Sequence, residues 1–353
     1  MSNLSAERAR PGSFADDINS NRIEAINDLA GNGSLSRVQQ LSGLLPKSFS
    51  PFWGYEIPLT IAAHSCDFLC CIDDPKHFRK LFDTDSPLVN HPDFLISKSY
   101  RGLQKLALAW SEPGSVLSGS INNIWFEYDC LDLITPLPNA NFFYGPKPVT
   151  NPLDTLMLCE NVFQQIGINS LKPVTYKALM NCIQQLNKGA FISQIGMMLA
   201  RNDRHLRLFI QGIPRSQILP YLKCLGYRHA DNVQLQDLLD DCYAMADKVD
   251  LDMDLLEEPG GKIGLECYFN STSRAQQFLQ YLYSNTLCTE DKFFILRDHL
   301  NEIRYDERNE YQHFFSHFKL VFSPGENVKA KTYLGFAHQS VARHIIRTKT
   351  LNV

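Results

Sequence analysis

The chain of 353 residues is 44% apolar and 20% charged, the make-up of a globular protein with a sizeable core, long enough for one large domain or two ordinary ones. A formal charge of −4 with no basic block excludes a field built for nucleic acid. No run approaches the roughly 20 apolar residues that cross a bilayer, and the opening MSNLSAERARPGSFADDINS lacks the apolar stretch of a signal peptide, so the expected location is the cytoplasm, with no membrane partner.

Residues 1–16 read as a disordered N-terminus. From Asp17 to Leu45 the apolar positions suit one or two helices, broken at Gly31-Asn32-Gly33. Strand-like runs follow at Gly54–Ile61 and Cys66–Ile72. Helical stretches come next, Pro75–Phe82 and Ser97–Trp110, then strands at Ser120–Asp129 and Asn141–Gly145. The same order returns with helices Pro152–Ile166 and Thr175–Asn187, then strands Ile192–Ala200 and His205–Gly212. Helices Arg215–Leu225 and Val233–Ala246 precede strands Leu251–Leu256 and Lys262–Phe269. Helices Ser273–Asn285 and Thr289–His299 lead to a last hairpin, His317–Phe322 and Val328–Phe336, around Ser323-Pro324-Gly325-Glu326-Asn327. Ser340–Val353 is a basic tail.

Helix, helix, strand, strand thus recurs five times, a repeat of pattern rather than of sequence. Paired strands after paired helices give antiparallel hairpins with helices on one side. About ten such strands tend to curl and close, because closure removes the unpaired edges. The expected fold is α+β, a single domain over 17–339: a closed antiparallel barrel of ten strands surrounded by helices.

Each strand has one apolar face and one mixed face. Glu56 opposes Tyr55 and Ile57; Trp125 and Glu127 oppose Phe126 and Tyr128; Arg207 opposes Leu206 and Leu208. Glu266 and Tyr268 oppose Leu265, Cys267 and Phe269, and Lys319, Lys331 and Tyr333 complete the set. In an open sheet these faces would meet water. In a closed one they line a lumen, where single charges among glycines and large rings make a pocket wall. Cations there suit an anionic leaving group, aromatic faces shield a carbocation, and a carboxylate accepts a proton. The ten cysteines form no C-x-x-C pair and read as reduced, buried thiols. His313 and His317 have metal-ligand spacing, but no third ligand accompanies them.

The chain resembles the prenyltransferase-barrel (ABBA) family, and within it the cyanobactin-type peptide prenyltransferases. ISQIGMMLARNDRHLRLFIQGIPRSQILPYLKCLGY (192–227) looks like that family's central strand pair and following helix, KIGLECYFN (262–270) like its later aromatic-rich strand, and FKLVF with AKTYLGF like its closing hairpin. FKLVFSPGENVKAKTYLGF also resembles proteins encoded beside peptide natural-product genes.

The resemblance implies transfer of a dimethylallyl or longer allylic group from an isoprenoid diphosphate to an aromatic small molecule or a peptide. Glu56 in GYEIPL matches the family's activating glutamate by position. Arg207, Lys319 and Lys331 would hold the diphosphate, with Tyr268, Tyr333, Glu266, Trp125 and Glu127 around the substrates. The absence of a DDxxD pair leaves a need for Mg²⁺ open. Where the family places a cation on the second strand, SCDFLCCID supplies Asp67. That departure suits a second reading, a barrel that has lost diphosphate chemistry and binds or tailors peptides.

Overall fold

The computed structural model describes residues 12–21, 23–130, 137, 139–147, 152–167, 172–200, 205–256, 259–302 and 310–341. Ten strands close into one barrel in the order β1-β10-β9-β8-β7-β6-β5-β4-β3-β2, every neighbouring pair antiparallel. The hairpins are β1 (Phe52–Pro58) with β2 (Asp67–Ile72), β3 (Ile121–Tyr128) with β4 (Asn141–Pro146), and β5 (Phe191–Met197) with β6 (Leu206–Gln211). Then come β7 (Lys248–Leu255) with β8 (Pro259–Tyr268), and β9 (Tyr311–Phe322) with β10 (Lys329–His338). A helix pair precedes each: α1 (Phe14–Ser20) and α2 (Glu24–Ser42), α3 (Pro75–Lys80) and α4 (Lys98–Ser111), α6 (Pro152–Gln165) and α7 (Pro173–Gln184), α8 (Arg215–Cys224) and α9 (Val233–Met245), α10 (Thr272–Ser284) and α11 (Glu290–Glu302). One short helix, α5 (Val116–Ser120), is added in the second unit.

Alternation explains why these segments are strands with helices on one side only. In β9, Phe318, Leu320 and Phe322 are fully buried, and Phe318 stacks on Phe278 of α10 at 5.6 Å. Each such side chain contributes about 1.5–3 kcal/mol by leaving water. The helices start where a cap allows. Asp74, Ser97, Asn232 and Ser271 accept from backbone N–H groups inside α3, α4, α9 and α10. The break expected near Gly31 is a kink within α2, where Gly31 takes φ 71°. A Cβ there would sit 2.8 Å from the His64 carbonyl oxygen, so only glycine fits.

The seam is made by the two ends of the chain. β1 pairs with β10 from Phe52↔Ala337 to Pro58↔Lys331. Behind it Lys292 of α11, fully buried, donates to the carbonyls of Pro58, Ile61 and Ala63 at 2.8, 2.8 and 2.9 Å, so the fifth unit grips the β1–β2 turn.

Several boundaries differ from the sequence reading. The expected disordered stretch 1–16 overlaps α1: Phe14 and Ala15 are helical and fully buried, because Phe14 packs edge-on against Trp53 at 5.9 Å. Residues 1–11 and the basic tail beyond 341 lie outside the described residues. β7 begins at Lys248 rather than Leu251, and β9 at Tyr311 rather than His317. β1 ends at Pro58, before the expected Ile61. All ten cysteines are unpaired thiols and only Cys224 among them is exposed. No helix among the described residues is long and apolar enough to cross a membrane.

Candidate active site

The polar faces of all five hairpins turn into the lumen, which holds two adjoining recesses. One, of about 210 Å³, is lined by rings (Phe52, Trp125, Phe143, Phe209, Tyr268, Tyr333) and by Glu127, Asp250, Glu266, His317 and Lys319. The other, of about 130 Å³, opens toward the opposite end among Arg207, Lys262, Lys319, Lys329 and Lys331, with Asp252 and Asp254. Lys319 lines both. Glu56 sits between them, accepting from Lys331 Nζ and the Tyr333 hydroxyl. The nine residues singled out from the sequence therefore share one interior.

Space for the rings comes from small residues beside them. A Cβ on Gly196 would lie 2.0 Å from the Phe143 ring, so that ring occupies the place a side chain on β5 would take. Phe143 then meets Phe209 edge-on at 5.6 Å, and Trp125 meets Phe52 at 5.1 Å. His317 stacks on Tyr333 at 4.1 Å and lies 4.7 Å from Tyr268, making a three-ring wall.

Every cation of the predicted set already has a carboxylate. Arg207 donates to both oxygens of Asp254 at 2.7 and 3.3 Å and lies 3.7 Å from Asp252. Lys319 bonds Asp252 and stands 3.6 Å from Glu266. Lys331 is held by Glu56. Burial works against the charges of Arg207 and Lys319, but Asp252 with Asp254, and Asp252 with Glu266, outweigh it and keep both firmly protonated.

The carboxylates themselves divide. Burial opposes ionisation of Glu56, yet Lys331 and Lys319, with hydrogen bonds from Lys331 and Tyr333, hold its acid down at about 2. Glu266 is pushed up to about 7 by burial, which Lys319 only partly offsets, while it accepts from the Tyr268 hydroxyl at 2.8 Å. Asp67, opposite Glu56 across β1–β2, rises to about 7 through burial and then the charges of Glu56 and Glu127. It accepts from the backbone N–H of Cys130 at 3.0 Å. The second strand thus adds an acid to the wall rather than a cation.

Sequence reasoning missed two sets of lumen residues. Asp250, Asp252 and Asp254 alternate with Val249, Leu251 and Met253 along β7, and KVDLDMDL has the period-2 signal that could have revealed them. In the sequence His317 stands out only for its metal-ligand spacing from His313. Between the register pairs Tyr333↔His317 and Leu334↔Phe315 the ladder skips Ser316, a bulge that re-aims this part of β9. Among the described residues no group of three or more His, Cys, Asp or Glu side chains is arranged to hold a metal ion.

No protein-family model matches the chain, and no curated protein matches it by sequence. Solved structures do match by shape. The apo form of the prenyltransferase PriB aligns with TM-score 0.54 over 88% of this chain and 93% of its own, at 10% identity. The 5-dimethylallyl tryptophan synthase from Streptomyces coelicolor, solved with DMASPP and Trp, aligns with TM-score 0.54 over 92% and 95%, at 8% identity. AnaPT from Neosartorya fischeri gives TM-score 0.54 over 88% and 90%, at 9% identity. Together with the closed ten-strand barrel and its surrounding helices, these matches show that the chain has the prenyltransferase-barrel fold.

Proposed function

We propose that the chain is a prenyltransferase that moves an allylic group from its diphosphate to an aromatic or heteroatom acceptor. The observation that carries this reading is the joining, through Lys319, of a cation-lined recess to a ring-lined one inside a closed lumen. The solved neighbours with this fold include a complex with L-tryptophan and dimethylallyl thiolodiphosphate, which supports the same substrate class here.

In this reading the diphosphate lies among Arg207, Lys319 and Lys331. The donor C1–O bond breaks with its electron pair leaving on the diphosphate, whose added charge the three cations stabilise. Tyr268, Tyr333 and Phe209 present ring faces to the allyl cation and exclude water. The acceptor then attacks C1 and loses a proton.

Two carboxylates can take that proton, and their acidities suit different acceptors. A ring carbon attacked by the cation becomes a very strong acid, so Glu56, ionised down to about pH 2, is base enough. A nitrogen or oxygen acceptor holds its proton harder and suits Glu266, whose acidity lies near neutral. Glu127 and Trp125 complete the acceptor wall. Mg²⁺, if required, would enter on the diphosphate, because the nearby Asp252 and Asp254 are engaged by Lys319 and Arg207.

The test is incubation with dimethylallyl or geranyl diphosphate and a panel of aromatic small molecules and peptides, with and without a chelator. A mass gain of one prenyl unit with pyrophosphate release is expected. No release with any chain length overturns the reading. A second reading, a barrel without diphosphate chemistry, would account for the carboxylate already held by each of Arg207, Lys319 and Lys331. Calorimetry with a non-hydrolysable thiolodiphosphate separates the two: micromolar binding supports transfer, and silence supports the binder.

A further inference from the structure

The ring-lined recess contains a cation of the chain's own at its rim. Lys248, the first residue of β7, is nearly half exposed, with 47% of its side chain in water. Its ammonium nevertheless folds back over the Tyr268 ring, 4.9 Å from the centroid, and lies 2.7 Å from Asp250 Oδ2. Asp250 is 2% exposed and lines the recess, and its Oδ1 meets no donor among the described residues. Glu266 faces Asp250 across the β7–β8 pair.

A buried carboxylate oxygen without a donor is costly, and an acceptor with no N–H or O–H to offer it would leave it so. Burial pushes the Asp250 acid up in spite of Lys248. One surface ammonium therefore does not satisfy the site. A second donor, or a better-placed one, would. An aromatic face beside a carboxylate is the arrangement that recognises organic cations, and Lys248 already demonstrates the geometry. A long, half-exposed lysine also leaves such a contact at little cost, because exposed ion pairs are weak.

Building on the prenyl-transfer reading, we propose that the acceptor carries a cationic nitrogen, an ammonium or guanidinium, that displaces Lys248 and docks on Asp250 and the Tyr268 ring. The charged group anchors the acceptor at the mouth of the recess, while the atom to be prenylated lies deeper, toward Lys319 and Glu56. Asp250 and Tyr268 set which acceptors enter, and Lys248 is a placeholder.

The experiment measures acceptor binding by calorimetry in the absence of donor, so that it does not depend on turnover. Tryptamine is compared with 3-propylindole, which has a methyl in place of the ammonium, and Nα-acetylarginine amide with Nα-acetylcitrulline amide, which has a neutral urea in place of the guanidinium. The cationic member of each pair is expected to bind at least tenfold more tightly. Asp250→Asn should erase that difference and Asp250→Glu restore part of it. Lys248→Met should tighten tryptamine several-fold and leave 3-propylindole unchanged. Equal affinity within both pairs, including no binding by any member, overturns the proposal, as does a Lys248→Met variant that binds tryptamine no better. Failure of the transfer reading looks different: no pyrophosphate release from any donor, with the cation preference intact. Efficient turnover of neutral acceptors at equal kcat/KM sinks the cation anchor alone.

Discussion

The two ends of the lumen are built by the same strands yet differ in charge. At one end Arg207, Lys262, Lys319, Lys329 and Lys331 face two carboxylates. At the other, Glu127, Asp250 and Glu266 stand among aromatic rings with Lys319. The difference lies in position along each strand: β8 puts Lys262 in one recess and Glu266 in the other, and β7 divides Asp252 and Asp254 from Asp250 in the same way. One pair of neighbouring strands therefore makes both an anion-seeking pocket and a cation-seeking one, a few residues apart. Lys319, shared between them, is where the two characters meet.

Removing that shared charge should have the largest effect. Lys319→Met leaves Asp252 and Glu266 buried without it, and loss of one partner of a buried pair costs about 3–5 kcal/mol. Thermal melts should show a marked fall in Tm, and pyrophosphate release should drop by at least about a hundredfold. Lys319→Arg should recover most of the Tm, because both carboxylates keep a cation.

Glu266→Gln tests the aromatic end through pH. Its acid rises in the fold to about 7, with burial the leading cause, against about 4.3 in the unfolded chain. The folded state then binds more protons between those values, so this group's contribution falls as pH rises from about 4.5 to 7. Glutamine mimics the protonated form. Tm of the variant relative to the parent should therefore climb between pH 5 and 8, by an amount on the order of 2 kcal/mol. A difference independent of pH would mean that Glu266 ionises normally and that Lys319 fully compensates it.

Smaller effects are expected at the basic end. Lys331→Met frees Glu56 from its ion pair. Glu56 stays buried but keeps the Tyr333 hydroxyl and the Lys319 charge, so the cost to stability is about 1–2 kcal/mol, while donor affinity measured by calorimetry should weaken about tenfold, or roughly 1.4 kcal/mol. Asp254→Asn should have the smallest effect and the opposite sign. It loosens the two-oxygen grip on Arg207, leaves Asp252 nearby, and should tighten a thiolodiphosphate by a few-fold. Weaker binding would place Arg207 outside the diphosphate pocket.

Much of this architecture was legible from alternation alone, and the reasons are specific. Glu56, Arg207, Glu266 and Lys319 each stand opposite an apolar face, and Lys331 opposite one interrupted only by Thr332, so closure of the sheet had to bring them inside. The β7 acids escaped because the strand expected from Leu251 leaves out Lys248–Asp250, so the run of three alternating aspartates is cut to two and its period no longer stands out. His317 was within reach of the same test, because it stands two residues before Lys319 on the same face of the strand, on the regular side of the bulge at Ser316. Ion pairing was out of reach altogether. Arg207 finds Asp254, and Lys331 finds Glu56, by register between neighbouring strands, which neither segment specifies by itself.

The seam between β1 and β10 sets when the interior comes into being. Every other strand pair joins neighbours in the sequence, whereas Pro58 meets Lys331, and the Pro58 carbonyl meets Lys292, only after most of the chain has been made. Until then Glu56 and Asp67 belong to an open sheet bathed in water, both ionised at neutral pH and side by side. Closure buries them together and drives the Asp67 acid up to about 7, so the final step of assembly should draw protons from the medium. A nascent or truncated chain lacking its last hairpin would be left with like charges facing one another across an unsealed wall.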